Sequence, residues 1–310
     1  MSEEKILLMT DTASDIADED LIASEIMMLP IPITIDGQGY LERMDFTTEE
    51  FYDRLAASKE LPVTSHISSF TYEQAYKDAF ERGYTHVINV TITSEGSNMF
   101  VAAVTGKRQF FEEHPEAVGK MEIKVLDSGS YTLGYGYPLV EAAKMNLKGA
   151  GFEQIVDYLE DFFSTVEIHF APYSLEYAKR SGRIPVAAAF VGDMLGLRPI
   201  ISIIDGKTTI VEKVRGDKNL IPRILDYARS RCVDKDAPTA IVCGCDPTCG
   251  DDAFRQAKKV FGHKPKAIYQ AGASIAINAG PKVVGIIVRG AKRVNTRMSE
   301  KKLDTLAKEQ

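Results

Sequence analysis

No stretch of the chain approaches the ~20 consecutive apolar residues that a bilayer-spanning helix needs, so no transmembrane segment is expected. Basic residues are in the minority. The 37 Lys and Arg stand against 44 Asp and Glu, a net charge of −7, which argues against general nucleic-acid binding through a basic surface. The opening Met-Ser-Glu-Glu-Lys lacks the apolar region of a secretory signal, so the cytoplasm is the expected compartment, with membrane contact at most transient. Cysteine is scarce. Of Cys232, Cys243, Cys245 and Cys249, the last three lie in Cys-Gly-Cys-Asp-Pro-Thr-Cys, and the nearest histidine in sequence is His263. That spacing matches neither common zinc pattern, so no metal is expected and reduced thiols are, with a thiol-linked redox role as the alternative. The chain has no Gly-x-x-x-x-Gly-Lys-Ser/Thr loop, no Gly-x-Gly-x-x-Gly after its first strand and no Gly-x-Ser-x-Gly elbow. Gly134-Tyr135-Gly136 is too short to count as a nucleotide loop, and no cofactor is expected.

What is present is an ordinary globular composition. The 310 residues are 45% hydrophobic and 26% charged, enough for one large domain or two of usual size. Residues 5–10, 86–92 and 122–126 read as near-continuous apolar strands, each followed by a helical pattern. Such βα alternation predicts a parallel sheet covered on both faces. A strand with two prolines is expected over 29–35, a helix over about 18–27, and a capping box at Thr47 and Glu50. Beyond about residue 165 the texture changes. A hairpin with an Asp205-Gly206 turn joins strands 198–204 and 207–215, and helices at 217–231 and 251–261 alternate with strands at 239–243, 266–270 and 284–288. The expected fold is therefore α/β with two domains. Residues 1–165 form a parallel-sheet unit, residues 166–290 a second α/β unit with a mixed or antiparallel sheet, and residues 291–310 a charged tail, frayed or disordered. An apolar, small-residue helix is expected over Val186–Leu195.

Four short stretches put hydroxyls just past expected strands. They are Asp11-Thr12-Ala13-Ser14, Thr64 to Ser69, Thr93-Ser94-Glu95-Gly96-Ser97 and Asp127-Ser128-Gly129-Ser130. In an open α/β sheet, ligands sit outside the carboxyl ends of the strands. Hydroxyls and helix-start N–H groups converging there suit a small oxyanion, a carboxylate or a phosphate. Each hydroxyl taken singly also suits a helix cap. Asp11 and Asp127 fit Asx-turns, or magnesium. His66 is the sole histidine placed to act as a base for Ser97, although a solvated loop histidine explains it as well. Arg183 and Arg215 stand out as charges next to these elements, and Arg215 with Lys213 and Lys218 makes a basic spot on an acidic protein.

In this order the residues resemble the DegV family. Asp11-Thr12-Ala13-Ser14-Asp15 is similar to its opening Asp-Ser-x-Ser-Asp, Thr64-Ser65 to its Thr-Ser-x-Pro, and Thr93 to Ser97 to its Ser-Ser-x-Leu-Ser-Gly-Thr-Tyr. Asp127-Ser128, Ser181-Gly182-Arg183-Ile184, Arg198-Pro199-Ile200, Asp205-Gly206 with Glu212 to Arg215, then Gly280-Pro281 and Gly285 follow in the family's order, over about residues 4–289. The resemblance implies a two-domain α/β protein that holds one long-chain fatty acid, with the acyl tail in an apolar tunnel and the carboxylate near the domain junction. It implies presentation of that acid to a separate fatty acid kinase, which makes an acyl phosphate for phospholipid synthesis. Thr64 and Ser97 fall where the family binds the carboxylate, and Arg215 where members need an arginine for work with the kinase. Ser65, Ser94, Asp11, Ser14, Asp127 and Ser128 belong to the supporting loops. The chain departs from the pattern at Ile67, at Gly96 to Phe100, at Asn278 where the family has a carboxylate-binding histidine, and at Lys282 where it has glycine. Asn278 can donate an N–H bond to a carboxylate but cannot titrate near neutrality, and Lys282 supplies a positive charge if it points inward.

A tail of about fourteen buried methylenes is worth on the order of 11 kcal/mol gross, and ordering costs remove a large part. The hydroxyl site adds about 1–3 kcal/mol. The tail would thus set affinity and the hydroxyls orientation. The leading expectation is a non-enzymatic fatty-acid carrier. The alternatives are an acyl hydrolase using Ser97 and His66, a phosphotransfer enzyme using Asp11 and Asp127, and a divergent relative with a different ligand that keeps a partner surface at Arg215.

Overall fold

A computed structural model describes residues 4–184, 187, 196–234 and 236–308. The expected helix at Val186–Leu195 lies outside the described residues except for Ala187. Among the described residues the strands fall into three sheets. The first is parallel, in the order β2 (Met27–Leu29), β1 (Ile6–Asp11), β6 (His86–Thr91), β7 (Glu122–Asp127). All six residues of β1 are buried, which is why the strand reads as an unbroken apolar run. A second, antiparallel sheet joins β4 (Gln38–Leu41), β3 (Pro32–Ile35) and β5 (Val63–Thr64). The third has six strands in the order β10 (Lys207–Arg215), β9 (Leu197–Ile204), β8 (Val166–Pro172), β13 (Val283–Arg289), β11 (Ala240–Cys243), β12 (Ile268–Gln270). It is antiparallel except for the β11–β12 pair, so the expected mixed sheet is found. No helix is long and apolar enough to cross a membrane among the described residues.

Alternation along the strands of the third sheet splits its neighbours. Val242 and Val283 face the large core shared with the N-terminal half, while Ile241 and Val284 face helices Leu220–Arg231 and Pro247–Phe261. One side of this sheet is therefore free to form a wall shared with the first half of the chain.

Several local expectations are corrected. The strand expected over 29–35 is two strands, β2 and β3, in different sheets. Pro30 and Pro32 lack N–H donors, so the chain leaves one ladder there and joins another. The helix expected to residue 27 spans Asp18–Ser24 and stops where Glu25 turns left-handed (φ 52°). Helix Leu220–Arg231 starts three residues later than expected, after a 3₁₀ turn at Asp217–Asn219. A helix at Ala273–Ala279, bracketed by Gly272 and Gly280, was not expected at all; seven residues are too few to show a period. The capping box at Thr47 and Glu50 is formed.

The charged end is a docked strap rather than a frayed one. Arg293 binds Asp205 and the Val166 carbonyl, and the Met298 N–H reaches Asp127 at 2.9 Å. Helix Glu300–Lys308 then lies along helix Met99–Glu113, where Glu300 pairs with Lys107 at 2.9 Å and Asp304 pairs with Arg108. The segment carries few apolar residues because ions placed by the rest of the fold hold it.

Candidate functional site

The loops after β5, β6 and β7, the helix Ala273–Ala279 and one face of the third sheet surround a cavity of about 520 Å³, within the usual range of small-molecule sites. Its two ends differ. Thr64, Ser65, Ser94, Ser97, Ser274 and Asn278 line the polar part. Ile168, Phe170, Ile203, Val242 and Val283 form an apolar floor, one residue or two from each of four strands. The helix Ala273–Ala279 contributes to both, with polar Ser274 and Asn278 beside apolar Ile275 and Ala279. Each pair is four residues apart and so stacks along one helix face.

Thr64 ends β5, in register with Ile33, and the Ser65 N–H bonds the Pro32 carbonyl at 2.9 Å, so the small sheet fixes this loop. No group among the described residues bonds the Thr64 hydroxyl, which leaves it available. Ser97 Oγ accepts the Met99 N–H at 3.3 Å at the start of helix Met99–Glu113. As an acceptor there it still has its own proton to donate. Asn278 donates to the Ser274 carbonyl at 2.7 Å, on its own helix. Ser274 is 6% exposed, and its hydroxyl lies beside the Glu42 carboxyl without a hydrogen bond of normal geometry.

Arg183 supplies the charge at this end. Its Nη1 donates to the Gly96 carbonyl at 3.1 Å, which sets the guanidinium at the rim next to Ser97. From the sequence Arg183 read as a loop arginine, because its neighbour is 87 residues away; the Ser-Gly-Arg-Ile match was the one available signal. Lys282 is not on the lining. It is exposed and near Asp246, whose carboxyl is lowered mainly by the Thr248 hydroxyl and to a lesser degree by Lys282.

Of the four hydroxyl stretches, two present hydroxyls to the cavity and two are turned to support. Asp11 accepts from Tyr135 Oη (2.6 Å), Ala13 N (3.0 Å) and Ile92 N (3.1 Å), joining the ends of β1 and β6; burial pushes its carboxyl up to about 6. Asp127 accepts from Ser94 N (3.1 Å) and Oγ (2.5 Å), so it positions the Ser94 loop from behind. The Ser128 hydroxyl bonds Ser130 within its own turn, and Ser14 Oγ faces Met28 Sδ. Arg215 ends β10, exposed and off the cavity lining. His66 lines the rim, exposed, with no hydrogen bond to Ser97 among the described residues. All four cysteines are free, and burial pushes the Cys243 thiol up to about 11. A thiol held protonated is a poor nucleophile.

Buried acids tie the cavity helix to the N-terminal half. Asp15 accepts from Gly272 N (2.8 Å) and Thr132 Oγ1 (2.5 Å), while Glu42 accepts from Ser274 N (2.9 Å) and Thr12 Oγ1 (2.6 Å). Desolvation pushes Asp15 from 3.8 up to about 8 and raises Glu42 as well. The folded protein therefore keeps a proton on Asp15 that the unfolded chain releases. This stability is complete below about pH 4 and is lost as pH rises towards about 8, by up to about 1.4 kcal/mol per pH unit. An Asp15→Asn variant accommodates the left-handed φ of 53° and is expected to flatten the pH 6–8 slope by about one proton. Denaturant unfolding at several pH values measures that slope, and an unaltered one would place the proton elsewhere.

Fold and site define an α/β protein that encloses an apolar cavity with hydroxyls and one arginine at its rim. The chain belongs to the DegV family, since the family model described as "Uncharacterised protein, DegV family" matches residues 5–290. A DegV domain-containing protein of Caldanaerobacter subterraneus subsp. tengcongensis is 32% identical over 231 residues, 74% of this chain and 79% of that protein. Another from Clostridium acetobutylicum is 28% identical over 288 residues, 92% and 99% of the two chains. Among solved structures, a stearic acid-binding protein from Eubacterium ventriosum superposes with a TM-score of 0.84 at 25% identity, covering 92% of this chain and 98% of that one. A fatty acid binding DegV family protein from Streptococcus agalactiae does so with a TM-score of 0.78 at 26% identity, covering 93% and 100%.

Proposed function

We propose that this protein binds one long-chain fatty acid and, as a non-catalytic carrier, presents it to a fatty acid kinase in the cytoplasm. The observation that carries the reading is the polarity of the cavity, with hydroxyls and Arg183 at the rim and aliphatic side chains from four strands inside. Thr64 and Ser97 hold the carboxylate, Arg183 offsets its charge, and Asn278 assists. The relatives described as fatty-acid-binding proteins support the same ligand class here. On this reading residues 1–165 supply the carboxylate loops and residues 166–290 the tunnel wall, with residues 291–308 strapping them together. Ser65 and His66 are exposed while Ile168 and Phe170 are buried, so the carboxylate end is the one open to solvent. That is the end a phosphoryl-transfer partner must reach, and exposed Arg215 is its proposed contact.

A hydrogen bond to a charged group is worth about 1.5–3 kcal/mol, so Ser97→Ala is expected to weaken fatty-acid retention roughly 10–100-fold. The lost bond to Met99 costs about 1 kcal/mol of stability, too little to unfold the chain. Native mass spectrometry, followed by solvent extraction, reads the bound acid directly. One fatty acid per chain, lost in Ser97→Ala, supports the assignment; a protein that takes up no added fatty acid refutes it.

A further inference from the structure

Helix Ser69–Glu81 packs along helix Met99–Glu113, and Glu73 lies between them. Only 2% of Glu73 is exposed, although it is a carboxylic acid. Its Oε2 accepts from Gln74 Nε2 at 2.5 Å, and its Oε1 is buried with no hydrogen-bond partner. Such an oxygen is costly to bury, so a missing partner there needs an explanation. His114 Nε2 stands 3.9 Å from it, beyond hydrogen-bond reach. The same ring uses Nδ1 at 3.3 Å from Glu116 Oε1. An Nδ1–H bonded to a carboxylate leaves the Nε2 lone pair aimed at Glu73, the orientation that metal-binding imidazoles adopt.

Glu113 completes the group, and ligand atoms of Glu73, Glu113 and His114 lie within 4.8 Å of one another. Two consecutive residues of a helix would normally diverge. Here the helix ends at His114 (φ −124°, ψ 65°), because the following Pro115 disfavours helical backbone in the residue before it. Phe110 packs against the imidazole with ring centroids 5.4 Å apart, which turns it back towards Glu73. None of the three residues lines the cavity.

We propose that Glu73, Glu113 and His114 bind one divalent transition-metal ion, zinc by the chemistry of one imidazole and two carboxylates, and that the ion pins the two helices together. The site is structural. Water fills the remaining coordination position, and exposed Glu113 swings inward by a side-chain rotation to close the shell.

The test is titration of chelator-treated full-length protein with Zn²⁺, and separately with Co²⁺. One equivalent should bind, raise Tm by a few degrees, and give a cobalt spectrum without thiolate charge transfer, which separates it from binding at the cysteines. Glu113→Ala, at an exposed position, should weaken binding at least about tenfold and leave the metal-free Tm unchanged; His114→Ala should do the same to binding. Absence of uptake overturns the proposal. So does uptake that both variants retain, or a cobalt spectrum dominated by thiolate.

Discussion

An Ala279→Phe variant is expected to lose its long-chain fatty acid while staying folded. Ala279 is 6% exposed, on the apolar stripe of helix Ala273–Ala279, and its methyl group faces the cavity. A phenyl ring there enters a space of about 520 Å³, not packed core, so it meets room where most core positions would meet atoms. It takes the place of about four methylenes of the proposed acyl tail. At about 0.8 kcal/mol each, that removes about 3 kcal/mol, on the order of a hundredfold in affinity. The ligand-free protein, by contrast, has a void partly filled and should be no less stable. Shorter acids should lose less than longer ones. Extraction and mass analysis of the purified variant, with a thermal melt alongside, separates the two effects. Full occupancy by the same long acid would mean that the tail does not run past Ala279.

The second large effect concerns Gly136, at the end of the first turn of helix Leu133–Leu147. By propensity alone, Gly→Ala in a helix gains about 1 kcal/mol. Here the added Cβ would stand 2.2 Å from the Ser14 carbonyl oxygen and 3.1 Å from Ile16 Cγ1. The Ser14 carbonyl is backbone in a turn that cannot give way cheaply. Asp11 caps it, Asp15 follows with φ 53°, and Thr132 and Gly272 hold Asp15 in place. Overpacking against fixed backbone costs about 3 kcal/mol, so the clash outweighs the propensity gain and Gly136→Ala should lose roughly 2 kcal/mol net. The neighbouring Tyr135 hydroxyl would also be carried off Asp11. A fall in Tm of roughly 4–8 °C is expected in a melt of the ligand-free protein. A rise would show that the turn yields and that propensity governs.

Gly136 shows how far the sequence could be read. Gly134-Tyr135-Gly136 was legible as an odd cluster, yet nothing local reveals that Gly136 admits the distant Ser14–Ile16 turn while Gly134 makes room for Ser130. Asp11 and Asp127 were legible as loop anchors, since an Asp just past a strand accepts N–H bonds from its own turn. That Tyr135 and Met298 are also bonded to them was not. Lys282 was a reasonable source of charge from its place beside Pro281, but it is exposed in the bend just before β13. The charge at the rim belongs to Arg183, brought there by a contact with Gly96.

Patterns of short range were determined by the sequence itself. Buried parallel strands must be apolar along their whole length, hairpin turns need residues that tolerate positive φ, and helix starts need caps. The α/β fold, its parallel first sheet, its mixed six-stranded sheet and the hydroxyl loops after β5 and β6 followed from those local rules. Tertiary structure decided what local rules cannot reach. It built a helix too short to show a period, turned a polar tail into a strap by setting Asp205, Asp127 and Lys107 along its path, and chose which hydroxyls face the cavity. Side-chain direction at a loop end depends on what packs behind it. Asp127 fixes the Ser94 loop from behind and nothing among the described residues bonds the Thr64 hydroxyl, and those differences exist only once residues distant in the chain have met.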